Sequence, residues 1–157
     1  VFPGGQSTTM SRLAAIEGWF EPLRVARAAG MPMFGTCAGM IMLADTVLDA
    51  RADQETVGGL DVVVRRNAFG RQVDSFEADL SVPTVGDEPF PAVFIRAPWV
   101  ESVGSEGDIL AELTEGKRAG TIVAVQHAGL LATSFHPELG SDVRFHRLFV
   151  ENVQGSR

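Results

Sequence analysis

The sequence predicts a three-layer α/β sandwich with a mostly parallel central sheet and an antiparallel extension. Three observations lead there. Apolar residues at helical spacing alternate with short apolar runs over residues 7–49, a succession of strand-like segments fills residues 60–135, and an amphipathic stretch closes the chain.

Taken in order, Val1-Phe2-Pro3-Gly4-Gly5 reads as the end of a strand running into a loop. Ser7 is a candidate helix cap, and Met10, Leu13, Ala14 and Ile16 continue a first helix to about Phe20. Pro22 fits the first turn of a second helix, which Gly30 closes with the left-handed residue such ends require. Residues 31–35 are a short buried strand. Residues 38–49 carry Met40, Ile41, Leu43, Ala44, Val47 and Leu48, and are expected to form a third helix. Strands are expected at residues 60–65, 72–82, 92–95, 109–113, 121–126 and 130–135, with the charged alternation of 73–80 marking an exposed antiparallel strand. A last helix spans residues 142–154, with Asp142 near its start and Phe145, Leu148, Phe149 and Val153 facing inward.

Composition bounds the function. The 157 residues are 45% hydrophobic and 21% charged, the profile of one globular domain, and no run is long enough to span a membrane. A net charge of −7 argues against nucleic acid or an anionic lipid surface, both of which need a basic face. The single cysteine excludes an internal disulfide, so a reducing, cytoplasmic setting is expected. No metal or cofactor is called for, since the cysteine and the three histidines lack paired-ligand spacings.

Cys37 falls at a strand-to-helix turn within Gly35-Thr36-Cys37-Ala38-Gly39, the G-x-nucleophile-x-G form that lifts one side chain clear. Flanking glycines suit the crowding of such a turn. The helix N-terminus beyond Cys37 favours thiolate over thiol, and the Ala38 N–H points where an oxyanion would form. Alone, the pattern is equally that of a small buried cysteine between packing glycines; a nucleophile needs a base.

Of His127, His136 and His146, only His136 has an orienting group nearby. It ends an apolar strand and is followed by Pro137 and Glu138, and in an extended segment residues two apart project to one side, about 7 Å apart. Glu138 can then bend back to the ring and fix its tautomer. His127 belongs to a hairpin tip beside Ala128-Gly129, and His146 lies on the last helix between Arg144 and Arg147, solvated or partly packed.

The elbow at Cys37 followed by His136-Pro137-Glu138 resembles the class I, triad-type glutamine amidotransferase family, whose fold is flavodoxin-like. Three further stretches, residues 3–10, residues 66–77 and Val93-Phe94-Ile95-Arg96-Ala97-Pro98, resemble the glutaminase subunits of pyridoxal 5′-phosphate synthases. The resemblance implies hydrolysis of L-glutamine by a Cys37, His136, Glu138 triad, an oxyanion hole made by Gly5 and Ala38, and a substrate site from Gly5, Gln6, Ser7, Arg66, Ile95 and Arg96. It also implies delivery of ammonia to a barrel-shaped synthase subunit. Arg71 reads as a surface charge or structural ion pair. The sequence departs from the family twice: Gln6 stands where glutamate is usual, and the family's leading strand and helix have no counterpart before Val1. The expected fold is therefore a sandwich lacking that strand and helix. Other amidotransferase glutaminases, cysteine hydrolases of γ-glutamyl amides, and a docking subunit without turnover remain as alternatives.

Overall fold

A computed structural model of the chain describes residues 1–66 and 75–155. Arg71 and the stretch 67–74, part of the family resemblance, lie outside them.

Two helices open the chain, α1 (Ser7–Ile16) and α2 (Phe20–Ala28). Each ends on a left-handed glycine with the paired backbone bonds of a Schellman cap. Gly18 and Trp19 N–H groups donate to Ala15 and Ala14, and those of Gly30 and Met31 to Arg27 and Ala26. Gly18 thus stops the first helix earlier than its apolar spacing suggested. Gln6, not Ser7, is the N-cap, and its side chain makes no capping bond; Ser7 is the first helical residue.

Strand β1 (Met33–Thr36) leads through Cys37 into α3 (Ala38–Leu43), and the chain then turns directly into β2 (Ala44–Leu48). The expected helix over 38–49 is therefore only half helix. Its apolar run fits either period, and the β-branched pair Thr46-Val47 prefers the extended chain that β2 adopts beside β3 (Leu60–Arg65), where Thr46 faces Val63 and Val47 faces Val64.

The second half supplies β4 (Phe76–Val82), β5 (Gly86–Phe94), β6 (Trp99–Val103), β7 (Asp108–Glu112), β8 (Ile122–His127), β9 (Leu130–Thr133) and α4 (Arg144–Gly155). Among the described residues, one sheet runs β1-β9-β8-β6-β3-β2 with β7 added to β8. The α/β class is as expected, and the sheet is mixed: β1–β9 and β2–β3 are parallel, while β3–β6, β6–β8, β7–β8 and β8–β9 are antiparallel. Strand β5 begins six residues earlier than expected and pairs antiparallel with β4 as a separate ribbon, so Pro89 and Pro91 meet no central ladder. At the other edge Phe2 bridges in parallel to Gly35.

Side chains alternating across the sheet feed two cores. Met33, Leu130, Ala132, Val62 and Val64 pack with Phe20 and with Met40 to Leu43 on the face covered by α1, α2 and α3. Phe34 and Leu131 pack with Phe135, Phe145 and the β4–β5 ribbon on the other. On that second face Phe90, Phe94, Phe135 and Phe145 stack edge-on or tilted, with centroids 4.9 to 5.6 Å apart. Asp142 accepts from the Arg144 N–H at 3.0 Å, and the Arg144 side chain reaches the carbonyls of Glu88 and Pro89, which ties α4 to the ribbon. No helix among the described residues is long and apolar enough to cross a membrane.

Candidate active site

The parallel neighbours β1 and β9 end side by side, with Thr36 opposite Thr133. Just beyond these ends the chain places Cys37 and His136, at the carboxyl edge where open α/β sheets carry ligands. The Cys37 N–H donates to the Thr133 carbonyl at 2.8 Å, and the His136 N–H to that of Val93 at 2.9 Å, so both backbones are pinned to strands.

Cys37 has φ 50° and ψ −106°, a strained conformation for a residue with a side chain. The sharp turn explains its flanking glycines. A Cβ on Gly35 would strike the Gly39 carbonyl and lie 2.9 Å from Met40 N, and one on Gly39 would strike the Phe2 carbonyl. Any side chain at either position would push the turn open.

Cys37 is 6% exposed, and its Sγ lies 3.9 Å from the Ile95 carbonyl oxygen. Burial pushes its pKa up to about 11, opposed by the Ala38 N–H; Glu138 raises it further and the Arg96 guanidinium lowers it. The expected preference for thiolate is thus not met in the free chain: α3 has only six residues, and desolvation of the charged form outweighs what its N-terminus offers. The resting group is a thiol.

His136 Nδ1 meets Glu138 Oε1 at 2.8 Å. A carboxylate only accepts, so Nδ1 carries the hydrogen and Nε2 is the nitrogen left to take a proton. The pair is made differently from the expectation of an extended segment. Residues Pro137–Leu139 form one 3-10 turn, closed by the Leu139 N–H on the His136 carbonyl, and that turn brings the carboxylate back to the ring. His127 and His146 are occupied elsewhere. His127 binds the Glu106 carbonyl beside the two-residue turn Ala128-Gly129, and His146 lies edge-on to Phe34.

Cys37 and His136 open on one cleft of about 510 Å³, together with Gly5, Gln6, Ser7, Ala38, Arg66, Ile95 and Arg96. Every residue expected at the substrate site lines it. Glu138 stands outside the lining, behind the imidazole. Thr8, Ile41 and Pro98 also line the cleft and were not anticipated, although Thr8 follows Ser7 and Ile41 lies one helical turn from Cys37. Arg66 has its Nη1 on Gln54 Oε1 at 2.9 Å, and Arg96 is held at φ 44°. Among the described residues no group of His, Cys, Asp and Glu could hold a metal ion.

Residues 1–155 match the model of the SNO glutamine amidotransferase family. The chain belongs to that family. It is 59% identical over its whole length to the pyridoxal 5′-phosphate synthase subunit PdxT of Nocardioides sp., covering 78% of that protein, and 59% identical to that of Streptomyces avermitilis, covering 76%. A solved crystal structure of a glutamine amidotransferase superposes with a TM-score of 0.87 at 43% identity, over 97% of this chain and 77% of that one. These likenesses extend through both halves of the chain, so the family holds for the elbow and for the arginine segments alike.

Proposed function

We propose that this chain, acting as one glutaminase domain over residues 1–157, hydrolyses L-glutamine to L-glutamate and ammonia and hands the ammonia to the barrel subunit of a pyridoxal 5′-phosphate synthase. The observation that carries the reading is the opening of the sole cysteine and a carboxylate-bound histidine on one cleft that also holds two arginines. Names of close relatives support the choice of synthase.

In the proposed reaction Cys37 Sγ attacks the δ-carbonyl carbon of glutamine. Because burial keeps the thiol protonated, its proton passes to His136 Nε2 as the carbon–sulfur bond forms. The N–H groups of Ala38 and Gly5 receive the oxyanion. Protonated His136 then gives its proton to the leaving nitrogen, ammonia departs, and a thioester remains. Water, deprotonated by the same imidazole, cleaves the thioester to glutamate and restores the thiol. Glu138 holds the ring and stabilises its charged form, while Arg66 and Arg96 offer guanidinium groups to the α-carboxylate. A cysteine kept reduced suits the cytoplasm.

The test is ammonia release from glutamine with and without the synthase subunit. Turnover that depends on the subunit and disappears in Cys37→Ala supports the reading. Full activity of Cys37→Ala rejects the mechanism. Binding of the subunit with no turnover by the wild-type chain would leave a docking subunit instead.

A further inference from the structure

We propose that Gln54 is a positioning residue for the glutamine site: it holds the Arg66 guanidinium at the cleft through a neutral acceptor that leaves the arginine's charge available to the substrate carboxylate. The proposal rests on the glutaminase reading above and assigns a role to a residue outside the cleft lining.

Arg65 ends β3 and Arg66 follows it directly, and their surroundings differ in kind. Arg65 is held by two carboxylates, Asp49 at 2.8 Å and Glu101, and Glu101 in turn accepts from Trp99 Nε1. Its charge is neutralised locally. Arg66 lines the cleft, and its bonds among the described residues go to neutral oxygens: Gln54 Oε1 at 2.9 Å and the Asp49 carbonyl at 3.4 Å. Asp49 adopts φ 59°, which allows one residue to present its carboxylate to Arg65 and its carbonyl to Arg66. An arginine fixed by neutral acceptors keeps its full positive charge, as an arginine meant for an incoming carboxylate must.

The Gln54 side chain is oriented at a cost. A guanidinium only donates, so the amide oxygen has to face Arg66, and the amide nitrogen is left buried without a partner among the described residues. A buried unpaired donor calls for a compensating reason. The backbone around it is firmly held. Gln54 N–H donates to the Arg51 carbonyl at 3.0 Å, Glu55 N–H to the Oγ of buried Ser11 on α1 at 2.8 Å, and Val57 N–H to the Met42 carbonyl at 2.8 Å. Arg24 on α2 adds a bond to the Thr56 carbonyl at 2.7 Å. Residues 49–57 are thus strapped across α1, α2 and α3, and α1 is the helix whose first residue, Ser7, lines the cleft. Gln54 is carried on an anchored segment able to fix a long side chain.

The experiment is steady-state glutamine hydrolysis by the full chain with its synthase subunit, comparing Gln54→Met, Gln54→Glu, Arg66→Ala and the Gln54→Met/Arg66→Ala double variant. Losing a charge-assisted bond that orders Arg66 is expected to raise KM for glutamine about tenfold in Gln54→Met, with kcat within about twofold of wild type. Gln54→Glu keeps the acceptor but adds a competing carboxylate, and is expected to raise KM by a similar factor. The double variant should match Arg66→Ala, because Gln54 acts only through the arginine. A raised KM in Arg66→Ala alongside wild-type KM in both Gln54 variants overturns the positioning role alone. So does a Gln54→Met effect that persists in full when Arg66 is already absent. Wild-type KM in Arg66→Ala instead removes Arg66 from the glutamine site and the present proposal with it. Should Gln54→Met unfold, seen as a lost thermal transition, Gln54→Glu carries the same decision.

Discussion

The imidazole of His136 rests against the backbone of Gly4: a Cβ added to that glycine would strike Cε1 and lie 2.9 Å from Nδ1. Position 4 therefore sets where the ring can sit, although Gly4 carries no side chain of its own. In Gly4→Ala the imidazole must tilt away from the cleft or Nδ1 must leave Glu138. A displacement on the order of 1 Å at a reacting group costs about 100-fold in rate. The expected outcome is a fall of that order in kcat for glutamine hydrolysis, with a smaller change in KM. Wild-type kcat in a folded Gly4→Ala chain would remove His136 from the proposed reaction.

Cys37 makes a prediction about pH. Its thiol pKa, pushed up to about 11 by burial, lies above the ordinary value of about 8.5 that an unfolded chain would show. The folded state therefore holds its proton through a window in which the unfolded state has lost it. This contribution to stability is fully present below about pH 8.5 and is lost as pH rises toward 11. Cys37→Ser removes the titration, so the wild-type chain should lose more stability than the variant between those limits, measured by denaturant unfolding. Alkylation of the single cysteine by iodoacetamide, without substrate or partner, should keep accelerating well above pH 9. A rate already level by pH 8 would restore the thiolate that the helix N-terminus alone would favour.

Most of the site was legible because its demands are local. The elbow needs glycines where backbones nearly touch, and Gly35 and Gly39 announce it. His136 and Glu138 sit two residues apart, so the pair could be read from spacing even though a 3-10 turn, not an extended strand, joins them. The fold was less legible where one pattern serves two structures. The apolar run after Cys37 satisfies helix and strand alike, and only pairing with β3 decides that Ala44–Leu48 is extended. Strand β5 extends beyond the expected residues 92–95 because a ribbon of two strands has room for Pro89 and Pro91, which a central ladder does not. Strand β6 falls outside the strands expected from the sequence, because the place of Trp99–Val103 between β3 and β8 depends on contacts far away in sequence. Gln54 gave no signal, since nothing local links it to an arginine twelve residues on.

Glu138 is 41% exposed on its side chain while His136 is 12% exposed, so the carboxylate orients the ring from the solvent side. Solvent screens such a pair, and its removal should cost less than the loss of a buried triad carboxylate. Glu138→Gln keeps an oxygen that can accept from Nδ1–H and loses only the charge. Glu138→Ala loses both. The expected order of kcat is wild type, then Glu138→Gln, then Glu138→Ala, with a total span of about 10- to 100-fold and KM for glutamine nearly constant. Equal loss in both variants would show that charge, not orientation, is what the imidazole needs.

Arg96 combines a strained backbone with a side chain at the cleft, and the two can be separated. At φ 44° an L-residue is disfavoured by about 1 kcal/mol or more, whereas glycine adopts that region freely. Arg96→Gly should therefore stabilise the fold, by about 0.5 to 1 kcal/mol once the greater freedom of glycine in the unfolded chain is subtracted, which corresponds to roughly 1 to 4 °C in Tm for a chain of this size. The same change removes a guanidinium from the cleft and should raise KM for glutamine about tenfold or more, since a charge-assisted contact to a carboxylate is lost. Opposite signs for stability and activity are what a strained functional residue predicts. If Arg96→Gly lowered the thermal midpoint instead, the arginine would be holding the structure together, and its strain would have no bearing on the substrate.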